Sequence, residues 1–187
     1  MQTKIIVLSK NQIISMAQFG ALLAVAVLAP LLHSQLITGT IVNAVLFLAT
    51  ATLGWTPAIA IGALPSLVAA MAGTLPSPLI PMIPFIITGN IILVMTLKGT
   101  EFLSPRKELG SFRASSFFLG AISASILKFL FLYATSATLF QFILPQKLAP
   151  QIAAMMSWPQ LTTALLGGLL AFIFLRIYKN KNADRNL

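Results

Sequence analysis

No Asp, Glu, Lys or Arg stands anywhere between Lys10 and Lys98, and most of that stretch is apolar. A water-facing surface needs about a quarter of its residues charged. Here 8% of the 187 residues are charged and 58% are hydrophobic, so the solvent of this chain is mostly lipid. In lipid every backbone polar group must be satisfied within the protein. The expected fold class is therefore an all-α integral membrane protein: one domain over residues 1–187, a compact bundle of about six transmembrane helices.

Breaks in the apolar pattern divide the chain into spans at about 12–32, 38–53, 57–72, 84–97, 112–144 and 152–178. The first ends at Ala29-Pro30 and the polar His33-Ser34-Gln35. Gly54-Trp55-Thr56-Pro57 separates the second from the third, and Pro57 suits a helix start. Both are near sixteen residues, short of the ~20 that cross a bilayer, so neighbours must shelter their ends. From Gly73 to Pro84 the prolines 76, 78, 81 and 84 forbid a regular helix interior. Irregular backbone of this kind survives at membrane depth only against protein or a wet cavity. The run from Ile13 to Leu32 exceeds the 7–15 residues of a secretory h-region, so it is read as a retained first helix.

Charge sets the orientation. Lys4 and Lys10 precede span one; Lys98, Arg106, Lys107 and Arg113 follow span four; Arg176, Lys179, Lys181 and Arg185 close the chain. These alternate segments share one side, whereas the loops after spans one and three carry no basic residue and the loop after span five only Lys147. The positive-inside rule predicts both termini in the cytoplasm, in a cell inner (cytoplasmic) membrane. The net charge of +9 follows from this topology, and no nucleic-acid partner is expected.

Much chemistry is absent. There are no cysteines, and His33 is the single histidine, so neither thiolate nor two-histidine metal sites can form. No lysine is followed by Ser or Thr, which removes the Walker A route to ATP hydrolysis. The three acids, Glu101, Glu108 and Asp184, fall in the segments assigned to the cytoplasm, leaving no mid-membrane carboxylate for ion coupling. The expectation is no enzyme, no catalytic residue, no metal and no cofactor.

Two groups of residues stand out. Ala17 and Ala21, with Gly20 and Ala24, form a smooth stripe on the first span. Small residues let helices approach closely in lipid, either inside the bundle or against a partner protein. The second group is polar and lies in or beside apolar spans: His33, Gln35, Thr38, Asn43, Asn90, Lys128, Trp158 and Gln160, with Thr40 and Gln141 as lesser members. These are the candidate substrate-binding residues, because an amide or ammonium in lipid is costly without partners. Two readings of Lys128 stand side by side: it snorkels outward, or it faces a ligand. Asn43 and Asn90 either bond across helices or line a site.

The chain resembles the substrate-binding S components of energy-coupling factor (ECF) transporters over nearly its whole length. The likeness lies in size, span number, the Ala17-x-x-x-Ala21 stripe and three stretches: Pro30 to Asn43; Leu64-Pro65-Ser66 with Gly73 to Phe85 and Gly89-Asn90; and Trp158 to Gly168. The resemblance implies capture of a vitamin-like or other small micronutrient at the outer face. It implies as partners a transmembrane T subunit and two cytoplasmic ATPases, with Ala17 and Ala21 docking the T subunit. The loops around His33 and from Gly73 to Pro81 would form a lid. No ligand contact carries over residue by residue, since the substrate-reading residues of better-known groups differ. The competing reading from another class is a stand-alone secondary transporter or channel for a small solute.

Overall fold

The computed structural model describes residues 9–103, 114–143 and 149–183. Expectations resting on Lys4, Arg106, Lys107, Glu108, Arg113, Lys147, Asp184 and Arg185 lie outside the described residues. Among those described, the regular structure is helical: α1 (Lys10–Leu28), α2 (Gln35–Thr52), α3 (Trp55–Met71), α4 (Ile83–Leu103), α5 (Ala114–Ile143), a short α6 (Ala149–Met155) and α7 (Trp158–Ala183). Two 3₁₀ segments, Ala29–Leu32 and Ser77–Met82, join α1 to α2 and α3 to α4. Five helical stretches are long and apolar enough to cross a membrane, and α3 is an apolar helix of 17 residues. This fits a multi-pass, membrane-embedded, all-α protein.

Local chemistry accounts for most boundaries. Ser9 caps α1 by accepting from the Gln12 N–H at 3.3 Å, while the Gln12 side chain accepts from the Ser9 N–H at 2.8 Å, a reciprocal capping box. Pro30 enters the first 3₁₀ segment at a position where its missing N–H is no loss. Leu53 and Gly54 alone link α2 to α3, and Gly54 takes φ 94°, a conformation that glycine adopts freely. So short a link makes α2 and α3 adjacent and antiparallel. Pro76, Pro78 and Pro81 yield the 3₁₀ segment where an α-helix is excluded, and α4 starts immediately after it with Pro84 in its first turn.

Two boundaries depart from the sequence expectation. Helix α4 does not stop at Leu97 but continues through Lys98 and Glu101 to Leu103, because Lys and Glu are good helix formers and their charge leaves the backbone hydrogen bonds intact. The sixth span is not one helix: α6 ends at Met155, and Ser157 precedes a new start at Trp158-Pro159. Pro159 cannot donate to a continuing helix, and the N–H of Gln160 bonds the Ser157 carbonyl instead.

Packing is set by small residues. The most extensive pairings are α4 with α5 and α2 with α7. A Cβ on Gly167 would lie 2.8 Å from the backbone nitrogen of Ala44, and one on Gly39 would lie 3.0 Å from Thr163. Glycine at both places lets α2 and α7 touch backbone to side chain. The main core joins Ala26, Leu46, Phe47, Ile61, Leu93, Val94, Phe117 and Ala171. A second cluster, Leu79, Met82, Leu132, Ile152 and Met156, clamps the proline-rich segment and α6 onto α5. Helix α1 meets the bundle through Phe19, Leu22, Leu23 and Ala26, which leaves Ala17, Gly20, Ala21 and Ala24 exposed on its other side.

Candidate functional site

Between the two apolar clusters lies a cavity of about 250 Å³. Its walls come from the 3₁₀ turn at Pro30, the first two turns of α2, the end of α3 with the loop to Leu79, α4 at Ile86 and Asn90, α5 at Lys128, and the α6–α7 junction. The three connections α1–α2, α3–α4 and α6–α7 therefore meet at one end of the bundle and surround one space.

The floor is a polar network. Lys128, only 3% exposed, donates to the side-chain oxygens of Asn43 at 2.6 Å and Asn90 at 2.7 Å. Each asparagine then uses its nitrogen elsewhere. Asn90 donates to the Gly62 carbonyl at 2.7 Å, and Asn43 makes a longer bond of 3.4 Å to the Thr163 hydroxyl. Five helices, α2, α3, α4, α5 and α7, are thus tied through one ammonium. Pro65 removes from α3 the backbone donor that would serve the Ile61 carbonyl, one residue before Gly62. Hydrogen bonds to a charged group contribute about 1.5–3 kcal/mol each, which offsets a lysine's penalty in mid-membrane of about 2.5–3.5 kcal/mol on insertion scales. Lys128 therefore does not snorkel.

The rim is polar as well. The Gln35 side chain donates to the Met155 carbonyl at 2.8 Å, linking the start of α2 to the end of α6 across the cavity. Gln160 reaches the same carbonyl at 3.5 Å, and the Thr38 hydroxyl bonds the Ala29 carbonyl at 2.9 Å. His33, exposed and left-handed at φ 51°, terminates the 3₁₀ turn at the mouth. Thr74 holds the loop after α3 by bonding the Ala69 carbonyl.

Seven of the eight predicted binding residues therefore line one cavity: His33, Gln35, Thr38, Asn43, Asn90, Lys128 and Gln160. The structure does not bring Trp158 there. It is 69% exposed and stacks on Phe129 at 5.9 Å, with Phe129 stacked in turn on Tyr133 at 5.8 Å, on the outside of the bundle. Thr163, Ser66, Thr74 and the Gly62 carbonyl are participants that residue type alone did not single out. Thr163 had a readable signal, since it lies three residues after Gln160 and so on the same helix face. Among the described residues there is no group of three or more His, Asp or Glu side chains placed to hold a metal.

No protein-family model, curated protein or solved structure matches this chain.

Proposed function

We propose that this chain is the substrate-capture (S) subunit of an ATP-driven importer of the energy-coupling factor type. It would take a small micronutrient from the outer face of the cytoplasmic membrane and pass it inward with a T subunit and two ATPases. In this reading the bundle spans six times with both termini inside, and α3 is the short sixth crossing.

One observation carries the reading: the cavity is lined by the connections at one end of the bundle, and packed side chains lie beyond its floor. Beneath Asn43 the interior is filled by Leu46, Phe47, Leu93, Val94 and Phe117, all buried. A closed-bottomed pocket fits capture and not conduction, so a channel is disfavoured. The pocket combines apolar walls with a few convergent polar groups, the usual make-up of a small-molecule site. The exposed small-residue stripe of α1 suits close approach by another membrane helix. The sequence also carries no Walker A motif, so ATP-driven uptake needs a separate ATPase.

Proteoliposome uptake tests this. The chain should move its retained small molecule, identified by native mass spectrometry, only when the T subunit and ATPases are present with ATP. Uptake by the chain alone would sink the proposal in favour of a self-sufficient transporter.

A further inference from the structure

The floor of the cavity holds a lysine without a carboxylate partner. Lys128 is buried, and the two oxygens that it touches belong to neutral amides. No Asp or Glu is among the residues that line the cavity. An ammonium has three donors, and two are used by Asn43 and Asn90; among the described residues no third acceptor is bonded to it. The two amides cannot turn round to offer Lys128 more, because their nitrogens are held by Thr163 and the Gly62 carbonyl. The network therefore orients the Lys128 nitrogen, and the cavity supplies no anion to pair with its ammonium form in a low-dielectric setting.

Resting on the capture reading above, we infer that this cavity takes a small organic monoanion, a carboxylate with an apolar body, whose head group completes the third hydrogen bond of Lys128. Three features select this class. A cationic ligand would face Lys128 with no carboxylate to offset the repulsion. A polyphosphate or dicarboxylate would bring more charge than one lysine neutralises, and the nearest arginine on the described helices is Arg176, far along α7 from Thr163. Among the other wall residues, Val42, Ala69, Leu79, Ile86 and Met156 are apolar and suit a hydrocarbon or aromatic body. At about 250 Å³ the space lies just below the roughly 300–1,000 Å³ of drug-sized sites, so the ligand is compact.

The test is a thermal-shift titration of the full chain in detergent with matched probes that differ only in the head group: benzoate, benzamide and benzylamine, then hexanoate, hexanamide and hexylamine. A carboxylate should bind at least tenfold more tightly than its amide, and the amine should not bind. The Lys128→Met variant should lose that preference. Should this variant fail to fold, two further measurements stand without it. One is the wild-type comparison of carboxylate with amide. The other is Asn43→Asp, a near-isosteric change that places a carboxylate beside Lys128 and should weaken benzoate or hexanoate binding at least tenfold with the fold intact. Equal binding of acid and amide, preference for the amine, no binding by either carboxylate, or carboxylate affinity unchanged in Asn43→Asp would each overturn the inference. Carboxylate selectivity without ATP-dependent uptake in the reconstituted system would instead sink the importer reading and leave this one standing.

Discussion

Replacing Gly167 by alanine tests the close backbone approach of α2 and α7. The added Cβ would sit 2.7 Å from the Cβ of Asn43, 2.8 Å from the nitrogen of Ala44 and 3.0 Å from the carbonyl carbon of Asn43. Ordinary contact begins near 3.4 Å, so α2 and α7 must part by about 0.7 Å. Two of the three obstacles are backbone atoms and the third is a Cβ, so no side-chain rotation relieves the clash. Overpacking of this kind costs about 1–3 kcal/mol. Parting the helices also stretches the Asn43–Thr163 bond, already at 3.4 Å, and an interhelical bond in lipid contributes about 0.6 kcal/mol on average. Alanine's better helix propensity returns at most about 1 kcal/mol. The net expectation is a loss of about 1–3 kcal/mol, read as an earlier midpoint when the protein in mixed micelles is unfolded with SDS and followed by circular dichroism. Gly20 is the control, since a Cβ there meets nothing within 4 Å; Gly20→Ala should be neutral or stabilising by up to about 1 kcal/mol. A wild-type midpoint for Gly167→Ala, or an equal loss for Gly20→Ala, would refute the claim that glycine sets the α2–α7 distance.

Reporter fusions at Glu101 and at the C-terminus should read cytoplasmic and one at Lys147 external; a cytoplasmic signal at Lys147 removes the six-span topology. Ala17→Trp and Ala21→Trp should each abolish co-purification with a T subunit while leaving the SDS midpoint within about 0.5 kcal/mol of wild type, since both positions are exposed; a complex that survives both substitutions ends the docking role. Asn90→Leu should lower stability by about 1–3 kcal/mol, because it leaves one donor of Lys128 without its acceptor and removes the bond to the Gly62 carbonyl. An unchanged midpoint would mean that water replaces the amide.

Most of the helical plan was legible because lipid leaves few alternatives. Apolar runs bounded by Gly54, by the prolines and by charge placed α1, α2, α3 and α5 to within a few residues, but not the end of α4 or the start of α7. The misses have one cause: apolarity marks where lipid is, not where a helix ends. Lys98 and Glu101 are charged yet stay in α4. Conversely, the sequence stays mostly apolar from Ile152 to Tyr178 while the helix breaks at Ser157. That break did have a signature, a small hydroxyl residue just ahead of a proline, which favours a helix start, but hydropathy masks it.

The site was legible by residue type and illegible by direction. Polar residues in lipid are few, so seven of the eight singled out converge on the cavity. Whether such a residue faces in or out depends on helix phase. On α7, Gln160, Thr163 and Gly167 follow spacings of three and four and share the face packed on α2. Trp158 stands two residues before Gln160, about 200° around the helix, and points the other way. The same arithmetic places Lys128. Ala121, Ala124 and Ser125 precede it by seven, four and three residues, and all are buried. In a membrane bundle, small residues mark the interior face as clearly as large apolar ones do in water. A lysine in phase with three of them is directed into the bundle, where a snorkelling path is closed. There it needs oxygens brought by other helices, and Asn43 on α2 and Asn90 on α4 supply them. That pairing joins residues 85 and 38 positions apart, a distance that no local pattern encodes, so only the folded bundle shows that three isolated polar residues make one floor.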